Sequence, residues 1–107
     1  MKIIETSLFA RQIQALMADD DDRLLQAALI LRPELGDLIQ NSGGIRNVRW
    51  SLPGQGKRGG SRIIYFWAVT DDTILMLLVY PKSAQQELTP TQLRALRKIV
   101  EEEFDHG

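Results

Sequence analysis

The spacing of apolar positions divides the chain into elements. Ile3 and Ile4, within Lys2–Glu5, read as a short strand. Phe9, Ile13, Leu16 and Met17 then recur at three- and four-residue spacings behind Thr6 or Ser7, either of which can cap a helix. Leu24, Leu25, Ala28, Leu29 and Leu31 repeat the helical pattern after the run Asp19–Asp22, and Pro33 stops that helix near Arg32. Four successive carboxylates invite a metal-site reading. They lack the loop spacing of a calcium motif, however, and at a helix N-terminus they complement the dipole, which is the preferred reading. Gly36, Asn41, Ser42, Gly43 and Gly44 mark a loop.

A strand over Ile45–Trp50 alternates its side chains, with Arg46, Val48 and Trp50 on one face and Ile45, Asn47 and Arg49 on the other. Ser51–Ser61 is a glycine-rich connection, and Arg62–Val69 is dense in β-formers. Asp71 and Asp72 supply a turn into Thr73–Tyr80, whose apolar content places it centrally in a sheet. Thr89-Pro90-Thr91-Gln92 combines a capping box with proline at the first helical position. The helix behind it buries Leu93, Leu96, Ile99 or Val100, and Phe104. The order β-α-α-β-β-β-α predicts a single α+β domain over residues 1–107: a small antiparallel sheet with the N-terminal helices and a C-terminal helix packed on one side.

Composition adds exclusions. With 107 residues, 44% hydrophobic and 25% charged, the chain is an ordinary globular domain. The absence of cysteine removes a disulfide framework, a thiol nucleophile and any zinc site built on thiolates. The apolar runs Ile63–Val69 and Ile74–Val79 are too short to span a membrane, and Lys2 and Glu5 interrupt any signal-peptide pattern, so a cytoplasmic location is expected. The net charge of −1 conceals a segregation: all 14 acidic residues lie outside Leu38–Thr70, while Arg46, Arg49, Lys57, Arg58 and Arg62 lie within it. Such a window suits an anionic partner better than a surface of mixed charge does.

Several chemistries fail on inspection. Gly54-Gln55-Gly56-Lys57-Arg58-Gly59 satisfies G-x-G-x-x-G as a string, but a strand follows where a dinucleotide loop must open a helix. A Walker A loop fails because Ser51 stands where glycine is required and Arg58 where Ser or Thr belongs. The segment survives as a basic hairpin loop suited to a phosphate backbone. The single histidine, His106, lies in the tail, which removes a histidine-pair mechanism and a Ser-His-Asp triad. What remains is Arg49 at the end of one strand, Arg62 at the start of the next and Lys82 after the last. Tyr65 and Tyr80 lie within the sheet, either as site phenols or as packed aromatics. Lys57 or Lys82, its pKa depressed among like charges, can transfer a proton, and the arginines can stabilise charge on a phosphorane-like transition state. No cofactor and no metal site are expected.

Three segments together, Gly43-Gly44-Ile45-Arg46-Asn47-Val48-Arg49-Trp50, Gly56-Lys57-Arg58-Gly59-Gly60-Ser61-Arg62-Ile63-Ile64-Tyr65 and Leu78-Val79-Tyr80-Pro81-Lys82, resemble the RelE/ParE superfamily of bacterial toxins. Within it the chain is most similar to the HigB branch, and Leu31–Ile39 and Leu88-Thr89-Pro90 fit that branch too. The resemblance implies the toxin of a type II toxin–antitoxin pair, acting as a ribosome-dependent endoribonuclease that cleaves mRNA to a 2′,3′-cyclic phosphate and inhibits translation. It implies a catalytic set of Arg49, Arg62, Lys82 and Tyr65, with Arg46, Lys57, Arg58 and Tyr80 meeting RNA. The implied partners are the ribosome with its mRNA and a helix-turn-helix antitoxin of the HigA type, through which alone operator DNA would be bound. Asn47 stands where relatives often carry lysine, and Ser83–Leu88 holds no tyrosine, leaving Tyr65 or Tyr80 to stack on a base. The alternatives are a ParE-like poison of DNA gyrase and an RNA-binding module without activity.

Overall fold

The computed structural model describes residues 1–16, 19–51, 60–85 and 87–104. Its chain order is β1 (Lys2–Glu5), α1 (Ser7–Leu16), α2 (Asp19–Leu31), β2 (Asp37–Leu38), β3 (Ile45–Trp50), β4 (Ser61–Ala68), β5 (Thr73–Pro81) and α3 (Pro90–Phe104). The class is α+β, as the pattern predicts.

Thr6 is the residue that turns β1 into α1. Its hydroxyl accepts from the Phe9 amide at 3.1 Å and donates to the Leu77 carbonyl at 2.9 Å, while its own amide donates to the Met76 carbonyl at 3.0 Å. Farther along α1, the Gln12 amide oxygen accepts from the Val79 backbone at 3.2 Å. The helix thereby covers the stretch of β5 that β1 is too short to pair, which closes an exposed sheet edge. Asp19–Asp22 form the first turn of α2, where the dipole favours them.

The five strands lie in the order β1-β5-β4-β3-β2. The sheet is mixed where an antiparallel one is expected: β1 runs parallel to β5, and the other three pairings are antiparallel. A second difference concerns the layers. Phe9, Ile13, Leu25 and Leu29 of α1 and α2 pack against Val48, Ile63, Tyr65, Ile74 and Met76. On the opposite face Leu96, with Leu93, Val100 and Phe104 of α3, packs against Ile45, Ile64, Leu75 and Leu78. Helices therefore cover both faces of the sheet. The reason is visible in β5, which is buried at every position from Thr73 to Tyr80 and could not tolerate water on either side. Each fully buried Phe, Leu or Ile here contributes about 1.5–3 kcal/mol by its removal from water.

Thr89 caps α3 as its motif requires: its hydroxyl accepts from the Gln92 amide at 3.1 Å, and the Gln92 side chain accepts from the Thr89 amide at 3.0 Å. Val100 faces the core, whereas Ile99 is 39% exposed. The loop expected over Gly36–Gly44 contains the two-residue strand β2, paired to β3 through Asp37↔Asn47 and Leu38↔Arg46. Ser42 then supports the turn, donating to Ile39 O at 2.6 Å and accepting from Ile45 N at 3.0 Å.

One irregularity sets the geometry of the site. Ile64 pairs with Leu78 but Tyr65 pairs with Met76, so Leu77 is an extra residue on β5. Leu77 and Leu78 both face α3, and Val79 turns toward α1 and α2. Arg62 consequently faces Tyr80; regular pairing continued from Met76 would set Val79 there.

Candidate functional site

Arg49, Arg62 and Tyr80 form one rung across β3, β4 and β5, since Arg49 pairs with Arg62 and Arg62 with Tyr80. Directly opposed residues share a face, and the rung lies on the face covered by α3, two pairs beyond the Asn47↔Ile64 pair. Lys82 follows immediately after β5, where its amide donates to Gly60 O at 3.0 Å and draws it to the same end of the sheet. Arg49, Arg62 and Lys82 line a cleft of about 110 Å³ with Trp50 and Ser51. Antiparallel pairing of neighbouring strands brings Arg49 and Arg62 together, and Lys82, placed after the last strand, joins them at this end.

The rung is costly to the fold. Like charges directly opposed on neighbouring strands destabilise the pair by about 0.2–1 kcal/mol. Four buried side-chain polar atoms have no hydrogen-bond partner among the described residues: Asn47 Oδ1, Ser61 Oγ, Arg62 Nε and Tyr80 OH. Each such group costs about 1–3 kcal/mol. Three of the four belong to the rung or to its neighbour Asn47, and Ser61 adjoins them in β4. The ion pairs among the described residues join Met1 to Asp72, Arg23 to Asp20 and Arg32 to Glu34, and none involves Arg49, Arg62 or Lys82. A fold that keeps unpaired polar atoms beside uncompensated cations at one spot has the makings of an anion site.

Burial holds the Tyr80 phenol above its ordinary pKa; the Arg62 guanidinium opposes that rise and Glu87 adds to it. The group therefore stays protonated at neutral pH. The residue is only 6% exposed, so Tyr80 offers no open face on which a base can stack.

Two expected site residues belong elsewhere. Tyr65 lies on the opposite face of β4 with no exposure, and its hydroxyl donates to Pro33 O at 2.7 Å and accepts from Gly36 N at 2.8 Å. Burial raises its pKa as well. A Cβ on Gly36 would sit 2.9 Å from the Tyr65 ring, so the glycine is what lets the loop settle on the phenol. Tyr65 is a strut for the α2–β2 connection and cannot touch a ligand of the rung. Arg46 is on that same side, donating from Nη1 to Gly36 O at 2.8 Å and to Glu34 O at 3.3 Å. It therefore lies on the other side of the sheet from the Arg49–Arg62 rung. Tyr65 leaves the rung because side-chain alternation separates residues that look contiguous in the sequence, and Arg46 lies across the sheet from Arg49 as the alternation of β3 predicts. Lys57 and Arg58 lie outside the described residues, as does His106.

Sequence reasoning misses one acid. Glu87, with Asn47 and Arg62, borders a second cavity on this face. The signal lay in the two residues just before the Thr89 cap, because a residue preceding the start of α3 is carried to the sheet face that α3 covers.

Among the described residues, no helix is long and apolar enough to cross a membrane. The sequence matches, over residues 1–106, the family model described as the RelE toxin of the RelE / RelB toxin-antitoxin system.

Proposed function

The chain belongs to the RelE toxin family and is thus the toxin of a toxin–antitoxin pair, in a family whose members are generally mRNA-cleaving inhibitors of translation; on that premise we propose that it is a ribosome-dependent mRNA endoribonuclease of the HigB type. The observation that carries this reading is the Arg49–Arg62 rung at a cleft shared with Lys82, uncompensated by any carboxylate ion pair among the described residues.

In this reading the cleft receives the scissile phosphate. The ribose 2′-oxygen attacks phosphorus as its proton passes to water, the bond from phosphorus to the 5′-oxygen breaks, and a 2′,3′-cyclic phosphate forms. Arg49 and Arg62 neutralise the charge that accumulates on the non-bridging oxygens, a role suited to groups that remain protonated throughout. Lys82 supplies the proton to the departing 5′-oxygen. The ribosome presents the mRNA in the geometry that in-line attack requires. The antitoxin partner is a helix-turn-helix protein of the HigA type, and the complex acts on operator DNA through that partner. The protein works in the cytoplasm, where ribosomes and antitoxin meet it.

Primer extension on a defined mRNA, with and without bacterial ribosomes, tests the proposal. Cuts in codon register that depend on ribosomes are expected. Absence of cuts in both tubes overturns it and moves the gyrase-poison reading to the front.

A further inference from the structure

Leu24, Ala27 and Leu31 follow one another at helical spacings along α2, with Ile30 beside them. They lie on the side of the helix away from Leu25 and Leu29, which pack into the core. Leu24 is 63% exposed, Ile30 46% and Leu31 82%, and among the described residues nothing covers them. Single exposed leucines need no explanation. Three large apolar side chains on one face of a 13-residue helix make a contact surface.

Two features say what covers it. The stripe is a palindrome, in which Leu24 and Ala27 are mirrored by Leu31 and Ala28 about the midpoint between the two alanines. A twofold contact needs a patch that complements itself. Turning a second α2 end over end sets Leu24 on Leu31 of that copy, with the alanines at the axis, where small side chains let two helices approach closely. Charge selects the same orientation. The first turn of α2 carries Asp19, Asp20, Asp21 and Asp22, and Arg32 follows its last residue. A parallel pair would crowd the carboxylates of both first turns together. The antiparallel pair holds the two acidic turns about 20 Å apart and brings Arg32 of the second copy within about 4.5 Å, along the axis, of Asp20. Arg23 and Arg32 face each other across this contact, but each keeps a carboxylate of its own: Asp20 at 4.0 Å and Glu34 at 3.7 Å.

We propose that α2 is the contact surface for a second copy of this chain, forming a twofold antiparallel helix pair through Leu24, Ala27 and Leu31. The N-terminal helices cover one face of the sheet and the Arg49–Arg62 rung lies on the other, so the pair leaves both clefts open. One helix about 20 Å long presents less than the roughly 800 Å² per partner of a standard interface. The pair is therefore weak, with a dissociation constant of about 10–500 μM.

Sedimentation velocity of the full chain, from about 5 μM to about 1 mM, tests the proposal. The expected result is a reversible monomer–dimer equilibrium that Leu31→Glu weakens by about tenfold or more, with the urea midpoint of the variant unchanged because the side chain is in water. A monomer throughout that range, or a dimer that folded Leu31→Glu retains, overturns it. The chain has no cysteine, so single replacements report the orientation cleanly. Under mild oxidation, a mixture of Leu24→Cys and Leu31→Cys proteins should form the mixed disulfide in excess over either like pair. Like positions lie about 10 Å apart along the axis of an antiparallel pair, beyond the reach of a disulfide. Like pairs in excess overturn the antiparallel contact, and this reading stands even where Leu31→Glu fails to fold. A chain that is monomeric alone, and whose α2 amides shift in NMR spectra only when the antitoxin is bound, assigns the face to that partner and overturns self-pairing.

Discussion

Arg62→Met separates what the rung does for function from what it costs the fold. Methionine keeps the unbranched apolar stem that Arg62 lays along β4, so little packing is lost. It removes the buried Nε that lacks a partner among the described residues, a group worth about 1–3 kcal/mol of destabilisation, and the cross-strand repulsion from Arg49, worth about 0.2–1 kcal/mol. Arg62 is only half-buried, and the outer nitrogens of its guanidinium can be hydrated, so the lower part of that range applies. The expected gain is about 1–2 kcal/mol, or a rise in Tm of roughly 4–8 °C per kcal/mol for a domain of this size. Urea unfolding followed by the fluorescence of Trp50 and Trp67 reads the midpoint, and an unchanged slope shows that compactness is unaltered. Induction in a bacterial host reads the other half: growth arrest should be lost in the more stable protein. A variant less stable than the parent refutes the account of strain at the rung. A variant that is folded and fully toxic removes Arg62 from the site.

The remaining predictions follow from the other residues of the sheet and its helices. Tyr65→Phe strands Pro33 O and Gly36 N and should cost about 1–3 kcal/mol, read as a lower urea midpoint, while the pattern of mRNA cuts stays as in the parent because the phenol is on the far face. A loss of cutting in a folded Phe variant would return Tyr65 to the catalytic set. Asp22 carries a raised pKa, first from burial and then from Asp19, with the Gln26 hydrogen bond opposing. A raised folded-state pKa means that the native state holds the proton more tightly, so its cost is absent below the ordinary carboxylate pKa and complete once pH exceeds the folded value. Asp22→Asn should therefore stabilise at neutral pH and give no gain in acid, and urea midpoints at the two pH values that fail to diverge would contradict this.

Much of the fold was legible because helices announce themselves locally. Thr89 and Gln92 name a cap by type and spacing, and Phe9 and Ile13 mark a stripe that needs nothing distant to be recognised. The meeting of Arg49 and Arg62 was legible because antiparallel pairing sets the end of one strand beside the start of the next, and Lys82 joins them because β5 runs back along β4. What the sequence hid depends on register and layering. Nothing local in Tyr65 says which face it occupies, because that depends on which residue of β3 it opposes. The unbroken apolar run of β5 did hold the signal that both faces are covered, since a strand open to water on one side would alternate. The contribution of Glu87 was invisible to a survey of charge by segment, because α3 folds back over the sheet and carries an acid into a basic site from outside the basic window.

The extra residue in β5 bears on how a chain of this kind can change length over generations. Ile64 and Tyr65 are adjacent on β4, so the residues that oppose them, Leu78 and Met76, would close into a regular ladder if Leu77 were deleted. Every pair on either side would stay in frame, and Tyr80 would still meet Arg62. What deletion forfeits lies outside the ladder: the Leu77 carbonyl that receives the Thr6 hydroxyl, and a side chain only 1% exposed on the α3 face. Leu77 is thus a point at which a lineage can gain or shed one residue without moving the Arg49–Arg62–Tyr80 rung, while an insertion two residues later would part Tyr80 from Arg62.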